Sequence, residues 1–190
     1  MVTDILKWMA AFITAAIGSL GYFGVFLMMA IESAAIPLPS EIIMPFSGYL
    51  VYRGEFTLHG AAFWGALGCV FGSWVAYAVA AWGGRPFLER YGRYVLISRR
   101  DLELSERLFR RYGSPIIFFS RLLPVVRTFI SLPAGLARMP LLRFSVYTFL
   151  GSYPFCYALA WLGYRLGEHW HALESSFRKF DILIGALLIA

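Results

Sequence analysis

Charge is scarce in this sequence: 15% of its 190 residues are Asp, Glu, Lys or Arg, while 59% are hydrophobic. Soluble domains hold about 45–50% apolar residues. With a mean hydropathy of +0.66, a water-soluble globule is excluded and an integral membrane protein expected. Cysteine is nearly absent as well. Cys69 and Cys156 lie alone in separate apolar runs, and no Cys or His pair has ligand spacing, so they read as small hydrophobes rather than a disulfide or metal set. The net charge of +6 comes without a soluble basic domain carrying interleaved aromatics, which argues against a nucleic-acid partner and for positive loops beside an anionic leaflet. No metal and no other cofactor is expected.

What the chain does contain is charge in costly places. Residues 115–140, PIIFFSRLLPVVRTFISLPAGLARMP, place Arg121 and Arg127 inside an apolar run. A guanidinium at the bilayer centre costs roughly 2.5–3.5 kcal/mol on insertion scales, so such residues face a protein interior or a watery cavity and meet a partner. Pro124, Pro133 and Gly135 interrupt any continuous helix here. On an ideal helix residues six apart diverge by about 120°, so a break at Pro124 is needed for the two arginines to converge.

In chain order, residues 1–18 read as an N-terminal helix lying on or dipping into the membrane, since the apolar sequence simply continues where a secretory signal would give way to a polar mature chain. The apolar arm 20–31 holds twelve residues, too few for the twenty that a span requires. It meets Glu32, and ESAAIPLPSEIIMPFSGYL follows, with Glu32 and Glu41 separated by Pro37 and Pro39. This segment reads as a re-entrant hairpin. An ordinary extramembrane loop is the alternative, although loops rarely carry this much Ile, Leu, Met and Phe. Residues 60–82 contain no formal charge and form the clearest spanning helix, and Gly60, Gly65, Gly68 and Gly72 let another backbone approach it.

Residues 83–113 hold eight of the seventeen basic residues, which puts this linker in the cytoplasm and the connection near Arg53 outside. Leu102, Leu104, Leu108 and Phe109 fall at helical spacing, as in an amphipathic helix on the inner leaflet. Its charges fit a solvated, orienting face better than a lipid-reading patch. Residues 144–164 form a second spanning helix, kinked near Pro154. The apolar stretch 180–190 is short for a span, so it is either half-inserted or continued by further chain.

The halves repeat. GSWVAYAVAAWGGR, residues 72–85, matches GSYPFCYALAWLGYR, residues 151–165, and each follows a proline-broken hairpin with buried charge. Opposed orientations make this an inverted repeat, an architecture that places transporter sites at the repeat interface. The expected fold is therefore an all-α membrane protein of one domain, 1–190. Its first repeat covers about 20–82, its amphipathic linker 83–114, its second repeat about 115–165 and its C-terminal segment 166–190.

The two hairpin motifs, ESAAIPLPSE and SRLLPVVRTFISLPAGLARMP, resemble the signature regions of the DedA family, the bacterial branch of the SNARE-associated Golgi protein superfamily. The resemblance implies a multi-pass protein of the bacterial inner membrane that moves lipids between leaflets, with a polyprenyl phosphate or phosphatidylethanolamine as substrate. It also implies functional acids at Glu32 and Glu41 and functional arginines at Arg121 and Arg127. Some members carry an aspartate where this chain has Glu41, so the particular lipid does not transfer.

The residues support the same reading independently. Arginine offers a planar fork of donors that matches phosphate oxygens. Arg121 and Arg127 are thus the expected phosphate-binding pair, and Glu32 and Glu41 the expected ion-pair or proton-coupling groups. Glu41, beside the break, is the first choice for titration, and Glu32 for holding the second hairpin. Protons and a second copy of the chain count among the expected partners. Two other classes stay open: a proton-dependent exporter of small solutes, and a membrane enzyme acting on lipid phosphates. The enzyme reading is disfavoured because His59, His169 and His171 all lie in polar flanks away from the hairpins.

Overall fold

A computed structural model describes residues 2–34, 38–91, 113, 115–123 and 126–167. The described residues are helical, with no strand among them. Helix α1 spans Val2–Leu20, α2 Tyr22–Ser33, α3 Ser40–Tyr52 and α4 Leu58–Tyr91. After the linker come three short pieces, α5 Pro115–Arg121, α6 Val126–Phe129 and α7 Ser131–Leu136, and then the long α8, Leu141–Arg165. The amphipathic linker helix, Pro37, Pro124 and the C-terminal segment from residue 168 onward lie outside the described residues.

Local chemistry accounts for the boundaries. Gly21, at φ 61°, turns the chain from α1 into α2. Pro39 occupies the N-cap of α3, where a missing amide donor removes no helical bond. The interruption between α6 and α7 falls at Ile130, a turn before Pro133, because that proline has no N–H for the Phe129 carbonyl. Pro133 and Gly135 themselves sit inside α7. Pro154 lies within α8, which runs through it without a change of assignment.

One boundary differs from expectation. The spanning helix read as ending near Trp82 continues as α4 to Tyr91, well into the segment assigned to the linker. Nothing at Gly83 and Gly84 caps it, and Arg, Leu and Glu beyond them are good helix formers.

Helix α4 is the hub. It packs against α2, α8 and α7, while α3 and α5 lie on α8, and α1 on α2. The main core gathers Ile13 and Ile17 of α1, Val25, Met28 and Met29 of α2, Ile43 and Met44 of α3, Cys69 of α4 and Cys156 of α8. A second cluster joins Ile117, Ile130, Ala134, Met139 and Phe144.

Outside this core the usual polarity of a folded protein is reversed. Phe71, Val75, Val79 and Trp82 form an exposed stripe at helical spacing on α4, and Leu142, Val146 and Leu150 form another on α8. Meanwhile Ser33, Ser73, Ser120, Ser131, Thr148, Ser152 and two arginines are buried. Large apolar side chains outside and polar ones inside are what a hydrocarbon solvent selects. Residues 58–83 of α4, with mean hydropathy 1.5, are long and apolar enough to cross a membrane, alone among the described helices. At 25 residues, α8 has a comparable length of about 37 Å, but its serines, tyrosines and terminal arginines lower its hydropathy.

Candidate functional site

The buried polar groups converge around one turn of α4, at Gly72 and Ser73. Gly72 meets the last turn of α2 so closely that a Cβ there would collide with the Ala30 carbonyl and the Ser33 side chain. This contact fixes the end of α2, and with it Glu32. Gly151 plays the matching part on α8, where a Cβ would lie 2.7 Å from both the Phe118 carbonyl and the Arg121 Cβ. It lets α5 press its last residue, Arg121, into the interior.

Arg121 is 1% exposed and donates through one Nη2 to Ser73 Oγ at 2.6 Å and Ser131 Oγ at 2.9 Å. Two hydroxyls from α4 and α7 therefore hold its charge without neutralising it. Arg127 is 2% exposed and pairs with Glu32, its Nη2 lying 2.7 Å from Oε2. The same carboxylate oxygen accepts from Ser33 Oγ at 3.2 Å. On its other side the Arg127 guanidinium carbon sits 4.3 Å from the centroid of the Phe155 ring on α8, in cation–π geometry. Among the described residues neither Arg121 Nε nor Arg127 Nη1 has an acceptor. Buried guanidinium donors are almost always satisfied, so each marks a position where an oxyanion or water is favoured.

The structure thus brings three of the four charged candidates, Glu32, Arg121 and Arg127, into one interior. Glu41 stands apart. It is half-buried in the first turn of α3, accepts from Ser40 Oγ at 3.4 Å, and forms no ion pair among the described residues. Pro39 caps α3 and Pro133 lies within α7, and Gly135 packs α7 on α4 beside Tyr77.

Ser33, Ser73, Ser131 and Phe155 were not singled out from sequence. Ser73 had a visible signal, because the Gly-Ser at 72–73 recurs at 151–152 in the internal repeat. Ser131 and Phe155 had none. His59 donates to or accepts from the Tyr153 hydroxyl at 2.8 Å in an exposed setting, away from the arginines. No three His, Cys, Asp or Glu side chains converge among the described residues.

The VTT domain matches residues 38–165, which is most of the chain and includes both arginines. The chain belongs to this family, the DedA family. This VTT-domain protein is 39% identical to the uncharacterized membrane protein YkoX of Bacillus subtilis (strain 168), over 98% of the chain and 80% of that relative. It is 37% identical to undecaprenyl phosphate transporter A of the same organism, over 92% of the chain and 82% of the relative. An alkaline phosphatase-like protein of Lactococcus lactis subsp. cremoris (strain MG1363) is 32% identical over 88% of the chain and 81% of its own length. No solved structure matches this VTT-domain chain. The similarity to proteins named as membrane proteins agrees with the lipid-facing stripes of α4 and α8, and the chain is a membrane protein.

Proposed function

We propose that this VTT-domain protein moves a lipid phosphate, of the polyprenyl phosphate class, from one membrane leaflet to the other. The observation that carries the reading is the pair of buried arginines, each with one donor lacking an acceptor among the described residues. Such a pair can replace the hydration of a phosphate group while the lipid chain stays in hydrocarbon. Relatives named undecaprenyl phosphate transporter A, in Bacillus subtilis (strain 168) and at 24% identity in Staphylococcus aureus (strain NCTC 8325 / PS 47), support that substrate class.

In this proposal the segments 22–52 and 115–136 are re-entrant hairpins related by an inverted repeat. The exchange of partners supports it: α3 of the first half lies on α8, and α7 of the second half lies on α4. Helices α4 and α8 both cross the bilayer, and residues 83–113 face the cytoplasm. Lipid phosphate competes with Glu32 for Arg127. Once phosphate holds that cation, a proton taken up by Glu32 offsets the loss, because a buried carboxylate is costly without compensation. In this proposal Glu32, which pairs with Arg127, takes the coupling role first expected of Glu41 and serves as both tie and proton acceptor.

A second reading, hydrolysis of a lipid phosphate, draws on the relatives named alkaline phosphatase-like protein and on the serine hydroxyls beside Arg121. One experiment separates the two. Purified protein is reconstituted in vesicles with a labelled polyprenyl phosphate in one leaflet, and both label exposure and inorganic phosphate are measured. Transfer of intact lipid, lost in Arg127→Gln, supports transport. Phosphate release in place of transfer would establish the enzyme, and inhibition by small soluble anions without lipid transfer would point to solute export.

A further inference from the structure

The two cysteines, isolated in the sequence, meet in the fold. Both are free and fully buried. A Cβ placed on Gly65 would lie 3.4 Å from Cys156 Sγ and 2.9 Å from Met44 Sδ, so both sulfurs border the space over that residue. Cys69 stands one helical turn after Gly65 on α4, and a helical side chain leans over the turn preceding it. Its thiol therefore points to the same space, and Cys69, Cys156 and Met44 belong to one buried cluster. Three sulfur-bearing side chains from α3, α4 and α8 are thus gathered in one part of the core.

We propose that Cys69, Cys156 and Met44 form a binding site for a soft univalent cation, of the Cu(I) or Ag(I) class. Thiolates and thioethers select such ions over hard ones, and the surrounding Met, Ile and Ala side chains exclude the water a hard ion would keep. Metal–sulfur bonds of about 2.3 Å suit neighbouring sulfurs on packed helices. Binding breaks two S–H bonds, forms two thiolate–metal bonds and one dative bond from the Met44 thioether, and releases two protons, with no change of oxidation state. The resulting dithiolate complex carries one negative charge. That charge is placed well, because the Cys69 carbonyl accepts from Ser73, and Ser73 holds Arg121. Occupancy would also tie α4 to α8, the two helices that carry the halves of the arginine site. The proposal stands apart from the lipid reading and needs no substrate.

The test uses the full chain purified in detergent and titrated with Ag(I), reading bound metal per chain, protons released and thermal midpoint. The expected result is one ion per chain, about two protons released and a raised midpoint. Cys69→Ser and Cys156→Ser should each abolish all three. Met44→Leu, which keeps both thiols and the apolar packing, should weaken binding roughly tenfold. Should a serine variant not fold, the corresponding Cys→Ala variant and Met44→Leu carry the test. Absence of binding, binding that survives either single cysteine substitution, or two independent ions per chain would each overturn the site.

Discussion

The two proline-broken segments solve the same problem in different ways. The first, 22–52, consists of two helices of 12 and 13 residues, and its one deeply buried charge, Glu32, sits where α2 ends against Gly72. The second, 115–136, is divided into pieces of 7, 4 and 6 residues and carries both buried arginines. Short pieces have few internal hydrogen bonds, so the second segment depends on tertiary contacts for its shape. Glu32 to Arg127 is the charged contact between them. The carboxylate segment has two full helices to hold its shape, and the arginine segment relies more on what it touches.

Breaking the ion pair should have the largest effect. Glu32→Gln leaves Arg127 buried beside a neutral amide and should destabilise the protein by about 3–5 kcal/mol, read as a lowered thermal midpoint in detergent. Adding Arg127→Gln to Glu32→Gln should recover part of that loss. A double variant no more stable than Glu32→Gln would show that the carboxylate acts through groups other than Arg127.

Gly151→Val tests whether the arginine segment is positioned from outside. Its side chain would push on Phe118 and Arg121, with an overpacking cost of about 1–3 kcal/mol. Transport should fall further than stability does, since Arg121 moves while the Glu32–Arg127 pair stays. Equal losses of transport and folded fraction would assign Gly151 to packing alone.

Replacing the fork while keeping the charge probes the phosphate role directly. Arg127→Lys and Arg121→Lys should fold, and each should lower lipid transfer at least about tenfold, near 1.4 kcal/mol, because lysine presents a point charge. Unchanged transfer in both would remove arginine geometry from the mechanism.

Glu41→Gln should do least, shifting stability by no more than about 0.5 kcal/mol. Under the proposed proton coupling, lipid binding should weaken as pH rises in the wild type and in Glu41→Gln, and Glu32→Gln should flatten that dependence. A flattened profile in Glu41→Gln would return the coupling role to the first segment's second acid.

Sequence made the presence of the buried charges legible, but not their pairing. Arg121 and Arg127 were conspicuous because guanidiniums are rare in apolar runs, and the prolines announced broken helices. Which acid answers which arginine depends on where α2 stops, and that is set by Gly72 on a helix 39 positions later. Glu32 reads from its place at the end of an apolar arm as the tie to the second hairpin, and it pairs with Arg127, whereas the start of α3 gives Glu41 a half-exposed position beside Ser40. Cys69 and Cys156 looked solitary for a related reason: 87 positions apart, they become neighbours only once α4 and α8 pack. The end of α4 was misplaced because falling hydropathy signals the edge of the membrane, not the end of a helix.

That longer α4 has a mechanical consequence. Its 34 residues measure about 51 Å, against about 30 Å of hydrocarbon. In the proposed spanning orientation the helix continues past its apolar stretch, which ends at Gly83, for eight more residues, about 12 Å, on the same helix as the turn that holds Arg121. A spin label or fluorophore near Arg90 would read a rearrangement at the turn that holds Arg121 from the far end of the same helix.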